Sequence, residues 1–154
     1  MIKNKAGLKA DLGARMVVLT AIGSVLLLAV QTAAAQPPAA APASGGVYTT
    51  AQAERGNALY QANCAVCHGG ALQGEEENPP LSGKHFNTSW GGKPVADLYN
   101  FISSQMPLGQ PGALGSQGNA DVIAYILAVN RFPAGAKELP PDTNVLGTIA
   151  VDKR

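Results

Sequence analysis

The most informative segment of this 154-residue chain lies near its middle and reads Cys64-Ala65-Val66-Cys67-His68. These are the chain's only two cysteines, and a histidine follows the second one directly. In a C-x-x-C-H segment, both thiols can form thioether bonds to the vinyl groups of a haem, and the adjacent imidazole can reach the iron. The spacing therefore predicts one covalent haem c, attached through Cys64 and Cys67, with His68 as an axial ligand of the iron.

Three other interpretations use the same residues. A zinc site needs about four ligands. The two cysteines with His68 and His85 could complete such a set, but the second ligand pair typical of a zinc knuckle is absent from the sequence. A thioredoxin-like dithiol requires a βαβ context that the sequence does not indicate. A disulfide between residues three positions apart would close too short a loop to stabilise the fold. Haem attachment is the favoured interpretation.

Few residues can fill the sixth position on such an iron. After residue 35, Met106 is the only methionine, and His85 is the only histidine besides His68. Pro107 should end a helix and present Met106 from a loop, whereas His85 follows Lys84 in turn-rich sequence and is expected to be solvated. The predicted metal ligands are therefore His68 and Met106. Such a pair raises the reduction potential and leaves no open site, which favours an electron carrier over an enzyme.

The first 35 residues have the pattern of an export signal. Basic residues occur up to Arg15, residues 17–30 carry no charge, and Ala33-Ala34-Ala35 offers a cleavage site. The uncharged run is shorter than the roughly 20 residues that a membrane-spanning helix needs, so we expect cleavage. The alternative is an uncleaved anchor in which residues 17–30 tether the protein to the inner membrane. In both cases the folded part is predicted to be periplasmic.

The composition after residue 35 argues against one class of partner. These 119 residues carry seven basic and nine acidic side chains, so they lack the positive charge that a nucleic-acid binder needs. Residues 36–46 are rich in Pro, Ala and Gly and are predicted to form a semi-extended linker.

Three helical patterns follow the predicted linker. Thr49 and Gln52 fit a capping box at the start of the first helix. Pro94 suits the first turn of the second, which Pro107 ends, and Pro133 lies beyond the third. The apolar positions that define the second and third helices are Val95, Leu98, Ile102, Val122, Tyr125, Ile126 and Val129. No segment alternates well enough to predict a sheet, so the fold class is all-α.

Further residues stand in a fixed order around the cysteines. In sequence they are Gly56, Tyr60, Cys64, Cys67, His68, Pro79, Pro80, Leu81, Ser82, Gly83, Trp90, Met106, Pro107 and Tyr125. This ordered set resembles the class I c-type cytochromes over residues 47–133. The resemblance implies a cytochrome c-like fold, with three to four helices wrapped around one covalently attached haem and joined by long loops. Residues 134–154 then form a C-terminal extension with no assigned role.

The resemblance also implies roles for single residues. Gly56 would let the first helix cross the last one near Tyr125, since a glycine permits close approach of two backbones. A carbonyl of Pro79 or Pro80 would accept the Nδ1 proton of His68 and so orient this ligand. The indole N–H of Trp90 would point toward a haem propionate.

The loop that begins at Met106 and ends at Gly112 is similar to that of small cytochromes that accompany periplasmic quinoprotein dehydrogenases. The implied function is a monohaem cytochrome that carries single electrons from a quinoprotein alcohol or sugar dehydrogenase to an acceptor such as a terminal oxidase or another cytochrome. No residue is expected to be catalytic. One alternative is a haem enzyme or ligand sensor with an open sixth site on the iron. The other is a permanent haem subunit of a dehydrogenase complex.

Overall fold

The computed structural model describes residues 39–154. The predicted export signal at residues 1–35, including the uncharged run at residues 17–30, lies outside the described residues, as do the first residues of the predicted linker. Among residues 39–154, no helix is both long and apolar enough to cross a membrane.

The described part of the chain is mostly helical. In order, its elements are β1 (Ala41–Pro42), a 3-10 turn (Ala43–Gly45), α1 (Thr50–Asn63), α2 (Ala65–His68), α3 (Gly83–Trp90), α4 (Val95–Gln105), α5 (Gly115–Val129), α6 (Thr143–Leu146) and β2 (Ile149–Ala150). Four of these helices have eight or more residues, and α2 and α6 are single turns. The prediction of an all-α fold with three to four main helices and long loops is confirmed.

The start of α1 follows one half of the predicted capping box. The Oγ1 of Thr49 accepts a hydrogen bond from the backbone N–H of Gln52 at 3.1 Å. The other half of the predicted capping box, a hydrogen bond from the Gln52 side chain back to the N-cap, is wrong. The Gln52 side chain is buried and instead bonds the backbone N–H and the carbonyl of Leu139. A buried amide that pairs with a buried N–H and a buried carbonyl satisfies all three groups, whereas Thr49 at the N-cap is only half-buried.

The crossing of α1 and α5 is the most extensive helix contact in the fold. It is centred on Gly56, where an added Cβ would lie 1.8 Å from the backbone oxygen of Asp121 and 3.0 Å from the Cβ of Tyr125. One turn further along α1, the Tyr60 ring packs against Tyr125 with the centroids 5.3 Å apart. The close approach expected from the resemblance is present, and only glycine permits it.

The second and third predicted helices occur as α4 and α5. Pro94 is the N-cap of α4 and so precedes the first turn that we expected it to occupy. The predicted apolar positions of α4 are buried, as are Val122 and Ile126 of α5, whereas Tyr125 and Val129 are partly buried. Helix α3 was not predicted: its polar sequence, Gly-Lys-His-Phe-Asn-Thr-Ser-Trp, has one buried side chain, Phe86, and therefore no repeating apolar pattern.

The two ends of the described chain pack onto the helices. Ala41 and Pro42 pair in parallel with Ile149 and Ala150, which is a sheet that the sequence did not predict. The 3-10 turn buries Ala43, so the folded domain includes residues that we had assigned to the linker. Residues 134–154 bury several apolar side chains and belong to the same compact unit as the helices. The buried ones are Leu139, Leu146, Ile149 and Val151.

Candidate haem site

A cavity of about 470 Å³ brings together all of the predicted site residues. Its lining includes Cys64, Cys67, His68, Pro79, Pro80, Trp90 and Met106, which lie up to 42 positions apart in the chain. The remaining walls are largely apolar and come from α4 and α5, with Leu98, Ile102, Val122 and Ile126 among them. The volume is in the range of small-molecule and cofactor sites, about 300–1,000 Å³.

The cysteine motif occupies one side of this cavity. Cys64 is the N-cap of α2, and His68 is the last residue of this single turn, with its N–H bonded to the Cys64 carbonyl at 2.9 Å. Both cysteines are free, Cys64 half-buried and Cys67 exposed. Burial, with a smaller contribution from Cys67, raises the pKa of the Cys64 thiol. One helical turn therefore presents two thiols and an imidazole to the same space.

His68 is held in a defined orientation. Its side chain is 9% exposed, and its Nδ1 lies 2.9 Å from the carbonyl oxygen of Pro79. Since a carbonyl can only accept, Nδ1 carries the proton and Nε2 is left with a free lone pair. This is the contact that the resemblance implied for the Pro79-Pro80 stretch. A second partner of this kind fixes the tautomer of a ligating histidine and makes it a stronger ligand.

The loop after the motif is fixed by bonds to its neighbours. The buried hydroxyl of Tyr60 donates to the carbonyl of Gly69 at 2.8 Å, and the N–H of Gly74 donates to the carbonyl of His68 at 2.8 Å. Burial is the main cause that raises the pKa of the Tyr60 hydroxyl, so it remains a donor. Tyr60 also lines the cavity. Its role as an anchor of this loop was missed, because the sequence shows only its helical position.

Met106 faces the same cavity from the end of α4. Its N–H closes the last turn of the helix on the carbonyl of Ile102 at 3.0 Å, and its side chain is half-buried. The turns that follow carry Leu108, which lines the cavity and is 87% exposed. Val66, between the two cysteines, is 85% exposed and also lines the cavity. The mouth of the cavity is therefore apolar and open to solvent.

Two further side chains lie at this site. The Trp90 ring packs at a tilt against Phe101, with centroids 5.7 Å apart, and the Nζ of Lys93 lies 5.3 Å from the Trp90 ring centroid. A role of the indole N–H toward a propionate stays a prediction. His85 is exposed, as expected, but it also lines the cavity.

The residues present fit a haem c. Apolar walls suit a flat porphyrin, two thiols on one helical turn suit its vinyl groups, and an imidazole and a thioether are the axial ligands typical of low-spin haem iron. His68 and Met106 are the residues that would hold the iron. Among residues 39–154, no group of three or more His, Cys, Asp or Glu side chains is arranged to hold a bare metal ion.

Comparison with known proteins gives a consistent result. Residues 51–126 match the family described as cytochrome C oxidase, cbb3-type, subunit III. The thiosulfate dehydrogenase of Allochromatium vinosum is 39% identical over 83 residues, which are 49% of this chain and 31% of that protein. The thiosulfate dehydrogenase of Stutzerimonas stutzeri is 36% identical over 83 residues, 50% of this chain and 27% of that protein. That of Thiomonas intermedia is 33% identical over 105 residues, 64% of this chain and 31% of that protein.

The chain thus spans about a third or less of the length of these curated relatives. Among solved structures, the sulfane dehydrogenase SoxCD from Paracoccus pantotrophus aligns with a TM-score of 0.53 and 22% identity, over 73% of this chain and 60% of that one. At this identity the likeness shows a shared fold. The cysteine motif, the helical fold and the family match together show that residues 51–126 form a domain of the c-type cytochrome family.

Proposed function

We propose that this protein is a monohaem c-type cytochrome that carries single electrons between redox proteins. The observation that supports this most is the convergence of Cys64, Cys67, His68 and Met106 on one apolar cavity. A haem c, when bound, exchanges one electron at a time with a partner. No side chain has to act as an acid, a base or a nucleophile for this function.

The chain's own residues define the environment of the cofactor. The Pro79 carbonyl holds the proton of His68 on Nδ1, and the end of α4 places Met106 beside the same cavity. The buried walls from α4 and α5 exclude water, which would otherwise stabilise the more highly charged oxidation state. The exposed apolar mouth at Val66 and Leu108 leaves one side accessible to a redox partner.

We propose that the protein is exported to the periplasm, where its electron donor is a dehydrogenase and its acceptor a terminal oxidase or another cytochrome. The Met106 loop suggests a quinoprotein alcohol or sugar dehydrogenase as the donor. The names of the 33–39% identical relatives support a different donor, an enzyme that oxidises an inorganic sulfur compound such as thiosulfate. We favour the sulfur-compound donor because it rests on 33–39% identity over 49–64% of this chain.

Visible spectra of the holoprotein, oxidised, reduced and reduced under carbon monoxide, test the proposed ligands. We expect a low-spin spectrum with the weak far-red band of a thioether ligand and no response to carbon monoxide. Met106→Ala should lose the band and bind carbon monoxide, and the control His85→Ala should keep both wild-type properties. A wild-type protein that is high-spin and binds carbon monoxide would instead be a haem enzyme or a ligand sensor.

A second candidate function is that of a haem subunit or domain within a dehydrogenase, which the thiosulfate dehydrogenase relatives favour. Stopped-flow mixing of the oxidised holoprotein with thiosulfate separates the two. A carrier should be reduced only when a donor enzyme is added. Rapid, saturable reduction by thiosulfate alone would show that the chain itself holds a substrate site.

A further inference from the structure

A second cleft of about 530 Å³ lies behind α3, away from the motif. The residues around it include three cationic side chains, Lys84, Arg131 and Arg154, and its floor is formed by Phe86, Val129 and Phe132. No acidic side chain among the described residues lines it. Phe86 also lines the haem cavity, so one side chain separates the two spaces.

The cations of this cleft are not neutralised. Within residues 39–154, the only salt bridges join Arg55 to Asp121 and to Glu138, and none of these three residues lines the cleft. Lys84 and Arg131 are exposed and make no side-chain hydrogen bond to the described residues. Three unpaired like charges around one concave surface repel one another, and an anion bound there would relieve this repulsion.

One of the three cations is held in place. The Nη1 of Arg154 donates to the carbonyls of Asn130 and Arg131 at 3.1 and 3.2 Å, and its guanidinium lies 4.0 Å from the centroid of the Phe132 ring. Its remaining nitrogens have no partner among the described residues. A guanidinium fixed in this way loses little freedom when it binds a ligand, so it favours recognition of a planar anionic group.

Arg131 adds an independent observation. It lies two residues beyond the last residue of α5 and has a φ of 62°, in the left-handed region that glycine ordinarily occupies just after a helix. An arginine is strained in this conformation, and strained residues tend to be kept where the side chain serves a function.

We propose that this cleft binds a small organic anion that carries at least two carboxylate- or phosphate-type groups on an apolar body. The three cations supply the charge complement, the aromatic floor suits an apolar body, and the volume exceeds that of a single inorganic oxyanion while fitting a small molecule. The described lining has three cationic side chains and no acidic side chain, so it favours an anionic ligand over a cationic one. The proposal does not depend on the identity of the redox partners.

Calorimetric titration of the full-length holoprotein at constant ionic strength tests this site, with benzene-1,3-dicarboxylate as the probe. We expect saturable binding of this dianion, binding of benzoate that is weaker by about fivefold or more, and no binding of neutral benzamide. Lys84→Gln should weaken binding of the dianion by about fivefold. The control Lys137→Gln, at an exposed lysine outside the cleft, should leave the affinity unchanged.

Arg131→Gly separates a binding role from a structural one. Because glycine relieves the left-handed strain, this variant should unfold at a higher denaturant concentration, yet it should bind the dianion about fivefold more weakly. An absence of saturable binding, or an equal effect of Lys137→Gln, would overturn the proposal. The proposal would also be overturned if Lys84→Gln and Arg131→Gly slowed electron transfer to a protein partner but left binding of the dianion unchanged, because the cleft would then be a protein docking surface.

Discussion

Gly56 shows how one missing side chain permits the central helix crossing. We expect Gly56→Ala to destabilise the holoprotein by about 3 kcal/mol or more, because the new Cβ would meet the backbone oxygen of Asp121 at 1.8 Å. This cost outweighs the roughly 1 kcal/mol by which alanine is the better helix former. Urea unfolding followed by circular dichroism measures the difference.

Gly45→Ala is the matched control for that experiment. A Cβ at Gly45 meets no atom within 4 Å, so the unfolding midpoint should stay near that of the wild type. Equal unfolding midpoints for both variants would show that α1 and α5 can move apart without a loss of stability, and that the crossing does not determine the stability of the fold.

Asp121 gives the fold a dependence on pH. Burial alone would raise its pKa, but hydrogen bonds from Arg55, Gln117 and Gln52 and the charge of Arg55 outweigh burial, so the pKa is lowered. A carboxyl whose pKa is lower in the folded state contributes stability above about pH 4, its unfolded pKa, and this contribution is lost as pH falls through the folded value.

The free energy of unfolding should therefore fall more steeply with acid in the wild type than in Asp121→Asn. Urea titrations at a series of pH values between about 2 and 6 measure both slopes. Identical slopes for wild type and Asp121→Asn would contradict the assignment.

Among the elements, the C-terminal segment is joined to α1 by the buried side chain of Gln52 and by the exposed Arg55–Glu138 salt bridge. Gln52 bonds the N–H and the carbonyl of Leu139 at 2.7 and 2.9 Å. Gln52→Met keeps the volume but leaves two buried backbone groups unpaired, at about 1–3 kcal/mol each. We expect a loss of about 2–6 kcal/mol in the free energy of unfolding and faster amide hydrogen exchange at Leu139. Gln105→Met, at an exposed site, should change neither.

The elements also show what the sequence can predict. Thr49, the apolar positions of α4 and the apolar positions of α5 are local patterns, and each marked its helix correctly. The sequence missed α3 because a helix that buries one side chain has no period to detect. It also missed the docking of residues 134–154, whose contacts with α1 join residues 87 positions apart. Pairings of this separation have no local signature.

For the site, too, local patterns could be predicted from the sequence, whereas long-range contacts could not. The motif at residues 64–68 is compact enough to be recognised by its spacing alone. The contact between His68 and Pro79 could be anticipated only from the resemblance, because it requires the chain to close around a centre that no local pattern describes. Met106 could be predicted as a ligand by elimination, since it is the only methionine after residue 35. The cationic cleft behind α3 had no counterpart in the sequence analysis, because Lys84, Arg131 and Arg154 meet only in the folded chain.

For the whole molecule, the cofactor is expected to be part of the core. A cavity of about 470 Å³ with apolar walls loses packing contacts on every side when it is not filled. We expect the double variant Cys64→Ser, Cys67→Ser, produced without haem, to show weak near-ultraviolet circular dichroism and to bind a hydrophobic dye. Near-ultraviolet signals and cooperative unfolding equal to those of the holoprotein would show that the chain folds independently of its cofactor.

The pairing of β1 with β2 has a consequence for protein architecture. Because Ala41 lies beside Ile149, the two segments that begin and end the described domain lie side by side at this pairing. A domain whose two ends lie close together can be inserted into a loop of another protein, or circularly permuted, without disrupting the fold of the host protein. This cytochrome domain could therefore be inserted into an unrelated enzyme, where it would accept the electrons that the enzyme releases.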